Sequence, residues 1–158
     1  MPRSGSAGRV EAILVAAGLG ARVRELPASA RSATEAAEAV GCELARIGKS
    51  MIFRAARSNR PVLVVASGPN RVDMASIAAV LGEPVERATP DFVRENTGFA
   101  IGGVPPVGHS VDPVVFIDES LMRYSEIWVA AGTPQDVFPL SPEELLALTG
   151  GAVIAVSE

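Results

Sequence analysis

MIFRAARSNRPVLVVA, residues 51–66, decides how the chain folds. MIFRA (51–55) and VLVVA (62–66) are two runs of strand character, and RSNRP between them has the residues of a tight turn. The second run is apolar throughout, as befits a central strand of a covered sheet. On the N-terminal side, Val10, Ile13, Leu14 and Ala17 follow i, i+3, i+4, i+7 spacing, which predicts a helix stopping at Gly18. ARVREL (21–26) alternates like a half-buried strand, and Ser32 with Glu35 forms a capping-box pattern opening SATEAAEAVG, a helix stopping near Gly41. On the C-terminal side, Met74, Ile77, Ala78 and Leu81 repeat the helical stripe between an Asp73 cap and a Gly82 stop. Thr89-Pro90-Asp91 starts a short helix that runs to Gly98. VVFID (114–118), EIWVA (126–130), DVFPL (136–140) and AVIAV (152–156) read as strands, with a second capping box, Ser141 to Glu144, opening the helix LLALTGG. Interspersed helices and strands without a repeat or linker predict a single α/β domain over 1–158, with 1–8 as a flexible N-terminus. Its sheet is mixed and mostly antiparallel with surrounding helices, because the strands after residue 110 follow one another closely.

Composition agrees. Of 158 residues, 48% are hydrophobic and only 4% aromatic, so helices with small side chains can sit close on a sheet. A lone cysteine, Cys42, cannot close an internal disulfide, and no apolar run is long enough to span a bilayer. These features predict a cytoplasmic protein. A net charge of −4 argues against a general nucleic-acid coat, which needs a basic surface.

Familiar catalytic motifs fail on inspection. AGLGARV begins like a dinucleotide-binding fingerprint, but its last glycine would fall at Val23, and the preceding segment reads as helix. Gly48-Lys49-Ser50 ends like a phosphate-binding loop whose first glycine would be Glu43. His109, Ser110 and Asp112 have triad chemistry, yet triads are assembled from separate segments. One His and one Cys are too few for a zinc site, so no metal and no cofactor are expected.

Two features remain. Lys49 falls where the second helical region hands over to MIFRA; by itself it reads as a solvated lysine near a helix C-terminus. GFAIGGVPPVGHS (98–110) has glycines at 102, 103 and 108, which let backbone N–H groups approach a ligand, while Pro105 and Pro106 stiffen the curve. By itself it reads as a rigid connection at a sheet edge.

In order along the chain, IGKSMIFRA, VLVVASGPNRVDMASIAAVLG, TGFAIGGVPPVGH and VVFIDESL resemble the YbaK/ProX family of aminoacyl-tRNA deacylases. That family includes freestanding trans-editing enzymes and the editing domain of some bacterial prolyl-tRNA synthetases. The resemblance runs from about Arg9 to the C-terminus, and its strongest parts are the lysine of I-x-K-S and the G-x-x-x-P-x-G loop at Gly102, Pro106 and Gly108. It implies hydrolysis of the ester joining a wrong, small amino acid (Ala, Cys, Ser or 2-aminobutyrate) to a tRNA, tRNA(Pro) in the first place, with no metal and no protein nucleophile. It implies that Lys49 helps hold the terminal adenosine and its phosphate, and that backbone N–H groups of Gly102 and Gly103 face the developing oxyanion. Pro105, Pro106, Val107 and Gly108 then wall the acyl pocket, with His109 and Ala130 near the substrate, while Asp118 either supports the loop or meets the substrate's ammonium. Arg54, Arg57 and Arg60 are the candidate tRNA contacts, and prolyl-tRNA synthetase is a further partner; DNA and membrane are not. Two departures stand out. Val129-Ala130-Ala131-Gly132 lacks the serine that many members carry, and Thr133-Pro134-Gln135 replaces basic residues that often follow. The missing serine motivates an alternative, a non-catalytic module that binds tRNA or a synthetase.

Overall fold

The computed structural model describes residues 5–157. β3 (Pro61–Ser67) is buried along its whole length, so the apolar run is indeed central. Its side chains alternate between two cores. Leu63 and Val65 meet Val10 and Leu14 of α1 (Gly5–Ala16) on one face. Val62, Val64 and Ala66 meet Ile77 of α3 (Met74–Leu81) on the other. A third core joins Ala37 of α2 (Ala33–Val40) to Trp128 and Val137 on that second face. Helices therefore cover both faces of one sheet, as a continuously apolar strand requires.

β2 (Ile47–Ala55) pairs antiparallel with β3 across the predicted turn. It begins earlier than MIFRA, so Lys49 lies inside the strand and not at a helix end. β5 (Val114–Asp118), β6 (Ile127–Ala130), β7 (Asp136–Leu140) and β8 (Ala152–Ile154) match the predicted strands within two residues at either end. ARVREL contributes only β1 (Arg24–Glu25). A three-residue strand, β4 (Val85–Arg87), was not visible because it is short and its charged residues are exposed. The order is β1-β7-β6-β2-β3-β5-β8, with β4 beside the end of β2.

The sheet is mixed, but closeness in sequence does not set its pairing after residue 110. β6 and β7 form the expected antiparallel hairpin, whereas β5 and β8 are parallel. The helix α5 (Pro142–Thr149) carries the chain back, so that β8 starts at the same end as β5. The Ser141–Glu144 capping box is present in both directions. At α2 the Glu35 side chain instead accepts from the Arg31 N–H and the Ser32 hydroxyl. α4 (Pro90–Thr97) starts at Thr89 as predicted. Residues 1–4 of the predicted N-terminal segment lie outside the described residues, and 5–8 open α1. Among the described residues, no helix is long and apolar enough to cross a membrane.

Candidate active site

The site lies where the sheet loses a neighbour. On one edge β2 pairs with β6 through residues 47–48 and with β4 through 53–55. Between them, no strand among the described residues pairs with residues 49–52 on that edge, and the glycine loop passes beside the gap. A cavity of about 230 Å³ opens there. Its apolar wall includes Ile47, Val104, Trp128, Val129, Pro134 and Val137; Arg31, Ser32, Lys49 and Ser50 supply the polar side chains. Among the described residues, no His, Cys, Asp or Glu lines it.

Lys49 shares its side of β2 with Ile47 and Phe53, since alternate strand residues face one way. Its Nζ donates to the Asn70 carbonyl at 3.0 Å. An ammonium has three N–H donors, and the other two meet no acceptor among the described residues. Burial lowers the lysine's pKa, opposed by the negative charge of Asp118 and helped by Arg71. Lys49 is thus a half-buried cation held at one point and open at two.

Asp118 fixes that point. Its carboxylate is buried, and Oδ2 accepts from the Ser67 N–H at 2.9 Å and from Asn70 Nδ2 at 2.8 Å. Its Oδ1 accepts from the Ser120 N–H at 2.9 Å. The carboxylate therefore faces the Ser67–Asn70 turn and does not line the cavity. It positions the carbonyl that holds Lys49. Asn70 is the member that sequence reasoning missed, because S-G-P-N after a strand reads as an ordinary turn.

Asp118→Asn turns one acceptor into a donor facing N–H groups, at a cost of about 1–3 kcal/mol. We expect a lower thermal midpoint together with a fall in turnover of roughly tenfold or more, as the Lys49 support loosens. Thermal melts beside single-turnover assays check both.

The glycine loop divides its tasks differently from the expectation. Gly102 lines the cavity with φ +96°, a left-handed conformation that β-branched residues resist. No hydrogen bond ties its N–H among the described residues. The Gly103 N–H is committed to the Ala100 carbonyl at 3.2 Å, and Gly103 packs against the backbone of Thr133. It is therefore not an available oxyanion donor. Pro105, Pro106 and Val107 are buried behind the cavity and do not line it; Val104, one residue earlier, does. A loop has no periodicity from which the directions of its side chains could be read. Gly108 lies beyond the cavity, where a Cβ would strike Ile13. Ala130 and Pro134 line the cavity, so both departures from the family pattern fall at the site itself.

His109 is a clamp within the loop. Its Nε2 lies 2.6 Å from the Pro105 carbonyl, while Nδ1 is buried without a partner. An N–H on Nε2 satisfies that contact, and burial lowers the ring's pKa from its ordinary 6.5, outweighing the pull of the Pro105 carbonyl and of Asp112. The unfolded chain then takes up a proton near pH 6.5 that the folded ring accepts only at lower pH. His109 should leave stability unaffected above that value and reduce it as pH falls toward the lowered folded pKa. Urea midpoints at pH 7.5 and 5.5 should drop further in the wild type than in His109→Asn.

Arg57 and Arg60 are exposed on the β2–β3 turn, whereas Arg54 is held by Glu86 and by Asn59 Oδ1. They stand at the opposite end of β2 from Lys49. Arg31 at the cavity and Arg71 beside Lys49 are the cations nearest the site, and nothing in their local sequence singled them out.

Among the described residues, the site thus combines a two-faced α/β/α sheet with a lysine-bearing, mostly apolar cavity whose lining holds no acid–base pair. The model of the aminoacyl-tRNA editing domain matches residues 27–148, and the chain belongs to that family. This places it among the aminoacyl-tRNA deacylases, the class implied by the resemblance. It is 31% identical over 121 residues, 76% of this chain and 73% of the other, to EbsC of Enterococcus faecalis, a candidate Cys-tRNA(Pro)/Cys-tRNA(Cys) deacylase. It is 29% identical over 65% of its length to the proline–tRNA ligase of Thermosipho melanesiensis, covering 18% of that enzyme. A crystal structure of a candidate trans-editing enzyme for prolyl tRNA synthetase superposes with a TM-score of 0.93 at 48% identity, over 99% of both chains.

Proposed function

We propose that the chain hydrolyses the ester of small amino acids wrongly attached to tRNA, with tRNA(Pro) as the main carrier and prolyl-tRNA synthetase as the enzyme whose errors it clears. The observation that carries this reading is the cavity of about 230 Å³, apolar around one half-buried lysine and, among the described residues, free of any other titratable side chain save Arg31. Such a site can hold and orient an activated ester but offers no general base of its own. Lys49 binds the phosphate or ribose oxygens of the terminal nucleotide, and Arg31 and Arg71 add positive charge near it. The Gly102 N–H faces the carbonyl oxygen as negative charge develops there. Water adds to the carbonyl carbon, the bond to the ribose oxygen breaks, and that oxygen leaves with a proton from the attacking water, relayed by the neighbouring ribose hydroxyl. The products are the free amino acid and uncharged tRNA.

Selectivity follows from the shape of the pocket. A synthetase pocket rejects a molecule smaller by one methylene by only about 1–3 kcal/mol, so a second, smaller sieve is needed. Val104, Ala130 and Pro134 line the cavity, and in this reading the shape of that wall admits a short side chain and bars the proline ring.

A second reading rests on Ala130, which puts a methyl group in the cavity where many relatives carry a hydroxyl: the chain binds charged tRNA without hydrolysing it. Release of labelled amino acid, measured beside filter binding for each charged tRNA, separates the two. Hydrolysis above background supports the deacylase; binding with no release supports the module.

A further inference from the structure

A second groove, of about 260 Å³, lies next to the cavity and is not used by the mechanism above. Ser50, Gly102 and Val104 line both, so the two spaces meet across one narrow bridge. Beyond the bridge the walls are Met51, Ile52, Ala88 and Val93, with Ile101 and Arg87 at the mouth. Ile101 is 56% exposed there, so its side chain is open to a ligand. Arg87 is also exposed and faces no acid in an ion pair among the described residues.

We propose that this groove receives the terminal nucleobase of the tRNA, while the cavity receives the amino acid. The proposal rests on the deacylase reading. In an aminoacyl-nucleoside the acyl group and the base leave the ribose on different sides. A site for it must therefore offer two pockets joined at the sugar, and these two pockets join at Ser50. The Ser50 hydroxyl is buried and has no hydrogen-bond partner, an orphan that a ribose hydroxyl or the ester oxygen would satisfy. A base in the groove stacks on the apolar face of Ile101 and under the Arg87 guanidinium, contacts that suit any ring with a π-face. The strand edge at residues 49–52, unpaired between β6 and β4, offers peptide groups to the edge of the base. From Arg87, paired in register with Phe53 next to Arg54, the route continues to the exposed Arg57 and Arg60, which fit a following phosphate backbone.

The test compares three alanyl esters: those of tRNA(Pro), of adenosine, and of an abasic ribose. The wild type should hydrolyse the adenosine ester with a kcat/KM on the order of tenfold or more above that of the abasic ester. Arg87→Gln, a change at an exposed side chain, should raise KM for the adenosine ester several-fold and leave the abasic ester unchanged. Ala88→Trp, which fills the groove, should abolish the advantage of the base altogether. Equal rates for adenosine and abasic esters in the wild type, or variants that slow both alike, would overturn the proposal. Failure to hydrolyse any of the three esters would instead strike the deacylase reading itself.

Discussion

Lys49→Ala should lower the rate of ester hydrolysis by about 10²–10³-fold, the usual loss when one charged or polar group poised at the reacting centre is removed. The side chain is half-buried and two of its three donors have no acceptor among the described residues, so its charge is available to a ligand at little reorganisation. The fold should survive the change. Asn70 remains tied to Asp118 and Ser120, and the apolar neighbours of β2 do not depend on the ammonium. Lys49→Met keeps the aliphatic stem and removes only the charge. It should be as inactive as Lys49→Ala, with circular dichroism unchanged in both. Activity retained in the methionine variant would mean that the lysine serves by packing alone.

Gly103→Ala should be nearly as damaging, by a different route. A Cβ at that position would stand 2.6 Å from Thr133 Cα and 2.9 Å from its nitrogen. Backbone cannot yield as a flexible side chain would, so the loop itself must move. Overpacking of this kind costs about 1–3 kcal/mol. The neighbouring Gly102 moves with it, and a displacement of about 1 Å at a positioned group is enough to lose about 10²-fold in rate. Gly102→Ala offers the contrast, because its Cβ would find only Pro134 at 3.8 Å. That variant carries the backbone strain of φ +96°, about 1–2 kcal/mol, without a clash. Melting temperatures and single-turnover rates for the pair should rank Gly103→Ala below Gly102→Ala in both.

The legible parts of the molecule were those written in local pattern. β3 shows itself as an uninterrupted apolar run, and α4 and α5 by a capping hydroxyl followed by proline. Lys49 was placed at an element's end because G-K-S has little strand character. What holds it in β2 is its register opposite Ala66, a tertiary fact. The parallel partners β3–β5 and β5–β8 are separated by helices, and nothing local announces them. Within the site, the lysine and the glycine loop each read by themselves as ordinary structural features, and only their place in a pattern of four segments marked them out. Asn70 and Asp118, 48 residues apart, were not visible as a pair, since their hydrogen bond exists only once β3 and β5 align. The same limit put Pro105, Pro106 and Val107 on the cavity wall, where the chain's actual turn presents Val104.

The central claim is that a small apolar cavity beside Lys49 clears short amino acids from tRNA. The most direct measurement is single-turnover deacylation of tRNA(Pro) charged with alanine, serine, cysteine, 2-aminobutyrate or proline, against the spontaneous rate of each ester. The account predicts hydrolysis well above background for one or more of the small residues and none for proline. No acceleration across the small set, or release of proline as fast as of alanine, would contradict it.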